Sequence, residues 1–318
     1  MIRPGWRPAP PAETMRVEFS QWIEEFGRQE SRLIFLTGDL GFGALEKVSA
    51  ALGARFVNCG VSEQNMVSLA AGLARQGLRP LCYSIAPFAV FRPYEQTRLD
   101  VALHNLPVKI VGNGGGYGYG IMGASHHALE DLAVLSVLPN FACVVPLCNS
   151  DVAGAAGALF RHEGPGYLRL GLGQWPAQLG ELPAFQPVRQ LLAARRSPPR
   201  LTVAGIGPVL LNALPGLPEN AVTDVFAVSQ LPLPVLDAAL IRSVAATGRL
   251  LVVEEHAARG GLGEYLAAAL AKEGVAFQLH HRHAAGYPTG RYGSQAFHQQ
   301  QSGLDPASLQ DTVSRLIA

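Results

Sequence analysis

Residues 55–77 read RFVNCGVSEQNMVSLAAGLARQG. Phe56 and Val57 form a short apolar run that stops at Cys59–Gly60, and the polar cluster Ser62-Glu63-Gln64-Asn65 leads straight into a small-residue helix pattern. A strand that ends on glycine and turns at once into a helix is half of a βαβ unit. Glu63 stands at the mouth of that helix, and two explanations compete for it. A carboxylate in the first turn satisfies free N–H groups and complements the helix dipole. An acid at the end of a strand also lies where open α/β sheets bind their ligands.

The same alternation extends in both directions. A proline-rich leader over 1–13 gives way to a helix pattern near 14–29 and the strand RLIFLTGDLG. Further strand-like runs follow in FVNCG, PLCYSI, PVKIVGNGGG, FACVVP and GYLRLG, with helix-length segments between most of them. Such order predicts an α/β fold with a mainly parallel sheet covered by helices. Proline and arginine then break the pattern, and a second βα series begins at LTVAGIG. The expected organisation is the leader, a first α/β domain over 14–175, a connector over 176–199 and a second α/β domain over 200–318.

Composition narrows the function classes. Of 318 residues, 48% are hydrophobic and 15% charged, so a large share of surface must be buried in cores or interfaces. The net charge of +1, with no basic cluster, argues against nucleic acid or an anionic membrane as the main partner. No apolar run approaches the roughly 18 residues that span a bilayer. Cys59, Cys82, Cys143 and Cys148 lie in apolar surroundings without a Cys-x-x-Cys pair, which predicts reduced core thiols in a soluble cytoplasmic protein and neither a disulfide frame nor a metal site.

Chemistry-bearing residues gather at strand ends of the first domain. Beside Glu63 there is PFAVFRPYEQTR, whose Phe88, Phe91 and Tyr94 would share a face if the segment were one helix. GASHHALED supplies His126 and His127, which would serve as loop or capping residues if they had no catalytic part. GNGGGYGYG, from Gly112 to Gly120, reads as a flexible surface loop where a ligand can approach the backbone. EEH at 254–256 reads as structural, and RHAAGYPTGRYGSQ as a loop of turn residues without an assigned role.

In order and spacing, the stretch from FVNCGVSEQN to GASHHALED resembles the pyrimidine-binding domain of transketolase, and RLLVVEEHAARGGLGEYL resembles the transketolase C-terminal domain. The resemblance implies that Glu63 hydrogen-bonds the aminopyrimidine of thiamine diphosphate. A carboxyl in an apolar pocket favours its proton-bearing form, and a proton shared with the ring assists loss of the thiazolium proton. It further implies that Phe91, with Phe88 and Tyr94, packs against that ring. Asp39 and Leu40 in TGDLG would lie near the coenzyme, and His126 or its neighbour His127 would handle substrate protons.

The family's diphosphate- and metal-binding domain has no counterpart in these residues. The resemblance therefore implies the C-terminal subunit of a split transketolase, with a separate N-terminal subunit holding the diphosphate and Mg²⁺ or Ca²⁺, in a two-plus-two heterotetramer. It would transfer a two-carbon ketol unit from a ketose to an aldehyde. Gly43, Gly114, Met122 and Leu172 stand where the family carries Ser, His, Asp and Arg, which implies altered sugar specificity. Arg16, Gly114, Met122, His127 and Arg169 are the substrate-contact candidates. Three rivals share the pattern: the second subunit of a 2-oxoacid dehydrogenase, a synthase of the deoxyxylulose type, and a non-catalytic scaffold.

Overall fold

The computed structural model describes residues 14–41, 43–195, 198–215, 217 and 222–318. The leader expected over 1–13 lies outside them. The strands are β1 (Leu33–Thr37), β2 (Phe56–Asn58), β3 (Arg79–Ile85), β4 (Lys109–Asn113), β5 (Ala142–Val144), β6 (Gly166–Leu170), β7 (Val188–Leu192), β8 (Leu201–Ile206), β9 (Thr223–Val228), β10 (Gln230–Leu231), β11 (Arg249–Glu254) and β12 (Gln278–Arg282). The helices are α1 (Met15–Gln29), α2 (Glu46–Leu52), α3 (Glu63–Arg75), α4 (Ala86–Val90), α5 (Tyr94–Gln96), α6 (Asp131–Ser136), α7 (Val152–Arg161), α8 (Ala238–Thr247), α9 (Leu262–Lys272), α10 (Gln295–Gln301) and α11 (Pro306–Ile317).

Two mainly parallel sheets result, as the alternation predicts. The first runs β10-β5-β6-β4-β3-β1-β2 and the second β12-β11-β8-β9-β7. Their central strands are buried on both faces, which is why LTVAGI of β8 is apolar nearly throughout and has no exposed residue. On one face of the first sheet, Met15, Phe19 and Ile23 of α1 are fully buried against Phe35, Leu81 and Tyr83. Each such side chain contributes about 1.5–3 kcal/mol of burial free energy. On another face, Met66, Val67, Ala70 and Ala74 of α3 cover Leu36 and Cys82. That explains the small-residue rhythm of the opening stretch.

The halves are not joined by a bare connector. Within the expected 176–199 segment, residues 188–192 form β7, antiparallel to β9 at the edge of the second sheet. Proline and arginine on either side mask this short strand in the sequence. Arg189 of β7 is buried and pairs with both carboxylate oxygens of Asp151, on the first domain. In the reverse direction, β10 leaves the second half and pairs antiparallel with β5, Gln230 opposite Val144 and Leu231 opposite Cys143. One apolar cluster runs from Ile110 and Leu132 through Phe226 to Val252 and Leu266, across both sheets.

Two further expectations are corrected. Phe88, Phe91 and Tyr94 do not lie on one helix, because the chain breaks between α4 and α5 at residues 91–93. Pro93 supplies no N–H and disfavours helix at the residue before it. The glycine-rich segment is a pinned interior loop, not a free surface one. Gly114 and Gly115 both donate to Leu170 O at 3.0 Å, and Gly116 exchanges backbone bonds with Ala128 at 3.0 and 2.9 Å. Gly116 needs its positive φ of 65°, and a Cβ on it would strike the Glu255 carboxylate. The close approach that glycine permits is taken up by the protein's own side chains.

Candidate functional site

The site forms at the carboxyl ends of β1, β2, β3 and β4. Glu63 opens α3, is 4% exposed, and lies just beyond the end of β2. It does not cap the helix. Neither it nor Ser62 gives α3 a side-chain cap; the Ser62 hydroxyl donates instead to Cys59 O at 2.8 Å. The carboxylate is served by one side chain, Arg92, whose guanidinium donates to Oε1 at 2.9 Å. Among the described residues no donor reaches Oε2. That oxygen keeps a narrow opening to solvent, so water or a bound group can complete its acceptor capacity.

A continuous band of side chains leads away from this acid. Arg92 Cζ lies 3.6 Å from the centroid of the Phe88 ring. Phe88 meets the His126 ring edge-on, with centroids 5.0 Å apart. His126 in turn lies 5.8 Å from Tyr119, whose hydroxyl accepts from Asn113 Nδ2 at 2.9 Å. Tyr119 and Asn113 line a cavity of about 220 Å³ together with Thr14, Arg16, Gly114 and Leu172. The band thus runs from a buried acid, past an aromatic face and an imidazole, to a polar cavity with one basic residue.

Asp39 follows β1 next to Gly38, the residue whose backbone approaches the acid. Its left-handed backbone (φ 56°) is held by Asn58, which donates to Asp39 Oδ1 at 2.9 Å and accepts from Asp39 N at 3.0 Å. The neighbouring Gly38 runs so near the acid that a Cβ there would sit 4.0 Å from Glu63 Oε1. Glu63, Phe88, His126 and Asp39 are therefore brought together, with Arg16 and Gly114 at the far end of the band.

Other sequence candidates point elsewhere. Phe91 is half-buried in the cluster that crosses the two sheets, and Tyr94 joins it while donating to Val134 O at 2.9 Å. Leu40 packs on the core under α1. Met122 is 54% exposed and does not line the cavity. Gly43 is exposed, its N–H bonded to Glu46 Oε1 at 2.6 Å.

Arg169 is committed to the fold through two of its three nitrogens, while its other terminal nitrogen has no protein partner among the described residues and the residue lines a small cavity with Gly115, Gly171 and Pro208. It is 4% exposed and spends Nε on Asp131 at 2.8 Å and one terminal nitrogen on Ala128 O and Glu255 O at 2.7 and 3.0 Å.

The two histidines separate. His126 is partly exposed, with Nδ1 2.9 Å from the Ser125 hydroxyl, and its Nε2 has no protein partner among the described residues. His127 is buried, Nε2 2.8 Å from Gly120 O and Nδ1 2.8 Å from the Tyr287 hydroxyl. A carbonyl only accepts, so Nε2 carries the hydrogen and Nδ1 accepts from Tyr287. Burial, before any other cause, pushes the His127 pKa down, in keeping with that neutral ring. His127 is wired in place, and His126 is the ring turned toward Phe88.

The partners of His127 come from the segment that had no role in the sequence. Tyr287 stacks on His127, Tyr117 stacks on His298 at 4.8 Å between centroids, and the Tyr117 hydroxyl donates to Gly286 O at 2.9 Å. A Cβ on Gly120 would lie 3.1–3.2 Å from backbone atoms of 293–295. The C-terminal tail thereby clamps the glycine loop that carries Tyr119. Arg92 is the other residue missed. Its ion pair with Glu63 spans 29 positions, and no local pattern announces it.

Comparison with known proteins identifies the family. The transketolase pyrimidine-binding domain matches residues 12–174 and the transketolase C-terminal domain matches residues 222–309. The chain belongs to the transketolase family. It is 31% identical over 269 residues to an apulose-4-phosphate transketolase subunit of Phocaeicola vulgatus, covering 83% of this chain and 86% of that protein. It is also 31% identical over 302 residues to 1-deoxy-D-xylulose-5-phosphate synthase of Alkalilimnicola ehrlichii, but spans 46% of that enzyme's length. A solved structure described as "Split gene transketolase, inactive beta4 tetramer" superposes with a TM-score of 0.79 and 25% identity, over 96% of this chain and 98% of that one. Transketolase of Leishmania mexicana shares the fold, with a TM-score of 0.76 at 16% identity and 47% of its chain covered. The family uses thiamine diphosphate with a divalent metal. Among the described residues, no group of three or more His, Cys, Asp or Glu side chains is placed to hold a metal, and no helix is long and apolar enough to cross a membrane.

Proposed function

We propose that this transketolase-family chain is the C-terminal subunit of a cytoplasmic two-component transketolase that holds the pyrimidine end of thiamine diphosphate. A partner subunit holds the diphosphate through Mg²⁺ or Ca²⁺, and self-association of this chain gives a two-plus-two assembly. The complex transfers a two-carbon ketol unit from a ketose to an aldehyde. One observation carries the reading: Glu63 is buried at a helix mouth, does not cap the helix, and keeps one carboxylate oxygen without a protein donor. A weakly basic ring nitrogen that shares a proton is the kind of group that completes such an acid.

The residues present fit that group. Glu63 would receive the ring nitrogen, Phe88 would give the ring an apolar face, and Asp39 would border it. The coenzyme, when bound, supplies the carbon nucleophile and the electron sink. This chain's residues supply position and protons. Glu63 would share a proton with the ring nitrogen at its open oxygen, and its place at the mouth of α3 fixes where that proton sits. His126, whose Nε2 has no protein partner among the described residues, exchanges a proton with a substrate oxygen. The cavity at Arg16, Asn113 and Tyr119 holds the far end of the sugar. It offers one guanidinium, three neutral polar side chains (Thr14, Asn113 and Tyr119) and Leu172, which supports a specificity distinct from enzymes that grip a sugar phosphate with several cations.

The test is to mix the purified chain with a transketolase N-terminal-type subunit from the same organism, thiamine diphosphate and Mg²⁺. Ketose donors, phosphorylated or not, are then compared with pyruvate. Ketol transfer by the mixture and none by either chain alone is the expected result. Turnover by this chain alone, or use of pyruvate in place of ketoses, would overturn the reading.

A further inference from the structure

Arg92 makes two contacts that together have a particular shape. Its planar guanidinium lies over the Phe88 ring, 3.6 Å from the centroid, and donates a hydrogen bond to Glu63 Oε1 at 2.9 Å. A flat nitrogen-containing group that stacks on this aromatic face while it hydrogen-bonds this acid is what the aminopyrimidine must also be. We propose that Arg92 is an internal stand-in for the pyrimidine, which covers the ring's place on the Phe88 face while holding the neighbouring Glu63 oxygen and has to swing out before the coenzyme seats.

This inference rests on the proposed coenzyme role of Glu63 and goes beyond it. Its physical basis is burial and mobility. Glu63 is 4% exposed and needs a partner in the free subunit, since an unpaired carboxylate at that depth is costly. Arg92 supplies one, yet its own side chain is 44% exposed, so it reaches in from solvent and is held by few contacts. It also sits in the break between α4 and α5, just before Pro93, where no helix turn fixes its direction. Among the described residues the guanidinium has one hydrogen-bond partner, Glu63, and one ring contact, Phe88. Its departure exposes the Phe88 face that a ring bound at the open Glu63 oxygen must lie on, and releases Oε1 as well. Coenzyme affinity is then reduced by the fraction of molecules in which Arg92 is docked.

The test uses the full chain and the pyrimidine half of thiamine, 4-amino-5-hydroxymethyl-2-methylpyrimidine, with binding read by ligand-observed NMR and calorimetry. Arg92→Ala removes the competitor and should bind the fragment about tenfold more tightly than the parent, since a stacked guanidinium with one charged hydrogen bond opposes binding by roughly that much. Arg92→Lys keeps the charge but loses the flat group, and should fall between the two. A crystal of the fragment-bound parent chain should show the guanidinium away from Phe88. Weaker binding by Arg92→Ala, or a guanidinium still over Phe88 with the fragment bound, overturns the stand-in while leaving the Glu63 role intact. Glu63→Gln separates the two failures. If the parent chain binds the fragment no better than Glu63→Gln, the coenzyme reading falls and the stand-in falls with it.

Discussion

Two glutamates at strand ends stand beside helix N-termini in this molecule, one in each half, and they are used in opposite ways. Glu254 ends β11, is fully buried, and accepts from Leu262 N at 2.8 Å, Gly263 N at 2.9 Å and His281 Nε2 at 2.6 Å. It caps α9 across the intervening turn, and all its contacts are internal. Glu63 begins α3 itself, yet gives the helix no cap and has a single donor, reached from solvent. Residue type, burial and local topology are alike. What differs is satisfaction: an acid whose acceptors are filled by its own fold serves stability, and one left half-filled is available for something that binds.

The most severe way to break that comparison is Glu63→Gln. In the reconstituted complex it should lower kcat by at least about 10³-fold, within the range of a lost proton-handling group or oriented dipole. The melting temperature of the chain should move little; a rate within tenfold of the parent would place Glu63 in the same class as Glu254. The reverse outcome is expected of Glu254→Gln. It weakens charge-assisted capping and the His281 contact and should cost about 2–3 kcal/mol in denaturant unfolding, with kcat per folded complex unchanged.

A smaller effect sharpens the contrast between the two histidines. The pKa of His127 is held below its usual value of 6.5 by burial, so the unfolded chain binds the proton first as pH falls. The stability that its neutral ring gives the clamp is present above about pH 6.5 and declines below it. Hydrogen exchange of residues 114–123 should accelerate between about pH 7 and about pH 5, and Tyr287→Phe should weaken that dependence. Smallest of all is the ion cluster at the opposite end of the first sheet. Arg32 above all, then Arg79, pulls the Glu30 carboxyl down to about 2, so its contribution is present above the ordinary 4.5 and is lost as pH falls through that window. Glu30→Gln should flatten the acid limb of stability by less than about 1 kcal/mol, as measured by urea unfolding.

How much of this could be read in advance depended on the range over which each feature is encoded. The βα order and the strand-to-helix turn at Glu63 are local patterns, and they were legible. The break at Pro93 was legible in principle, since proline interrupts helices, but the even spacing of Phe88, Phe91 and Tyr94 outweighed it. β7 and β10 were not, because a five-residue and a two-residue strand are created by the partner edges they meet. The clamp was hidden for the same reason: His127 and Tyr287 lie 160 positions apart, and turn residues look alike whether or not they close on something. Arg92 beside Pro93 reads as an ordinary turn cation, and only the folded chain turns it onto Glu63.

The two residues of β10 also have a protective consequence. By pairing with β5 they cover the outer edge of the first sheet, which otherwise presents a row of bare amides and carbonyls to any extended segment. A chain cut after residue 180 would keep the pyrimidine-binding domain but lose that cover. It would be a poor minimal domain, with a sticky margin inviting strand addition from its neighbours and a tendency to precipitate as it is concentrated.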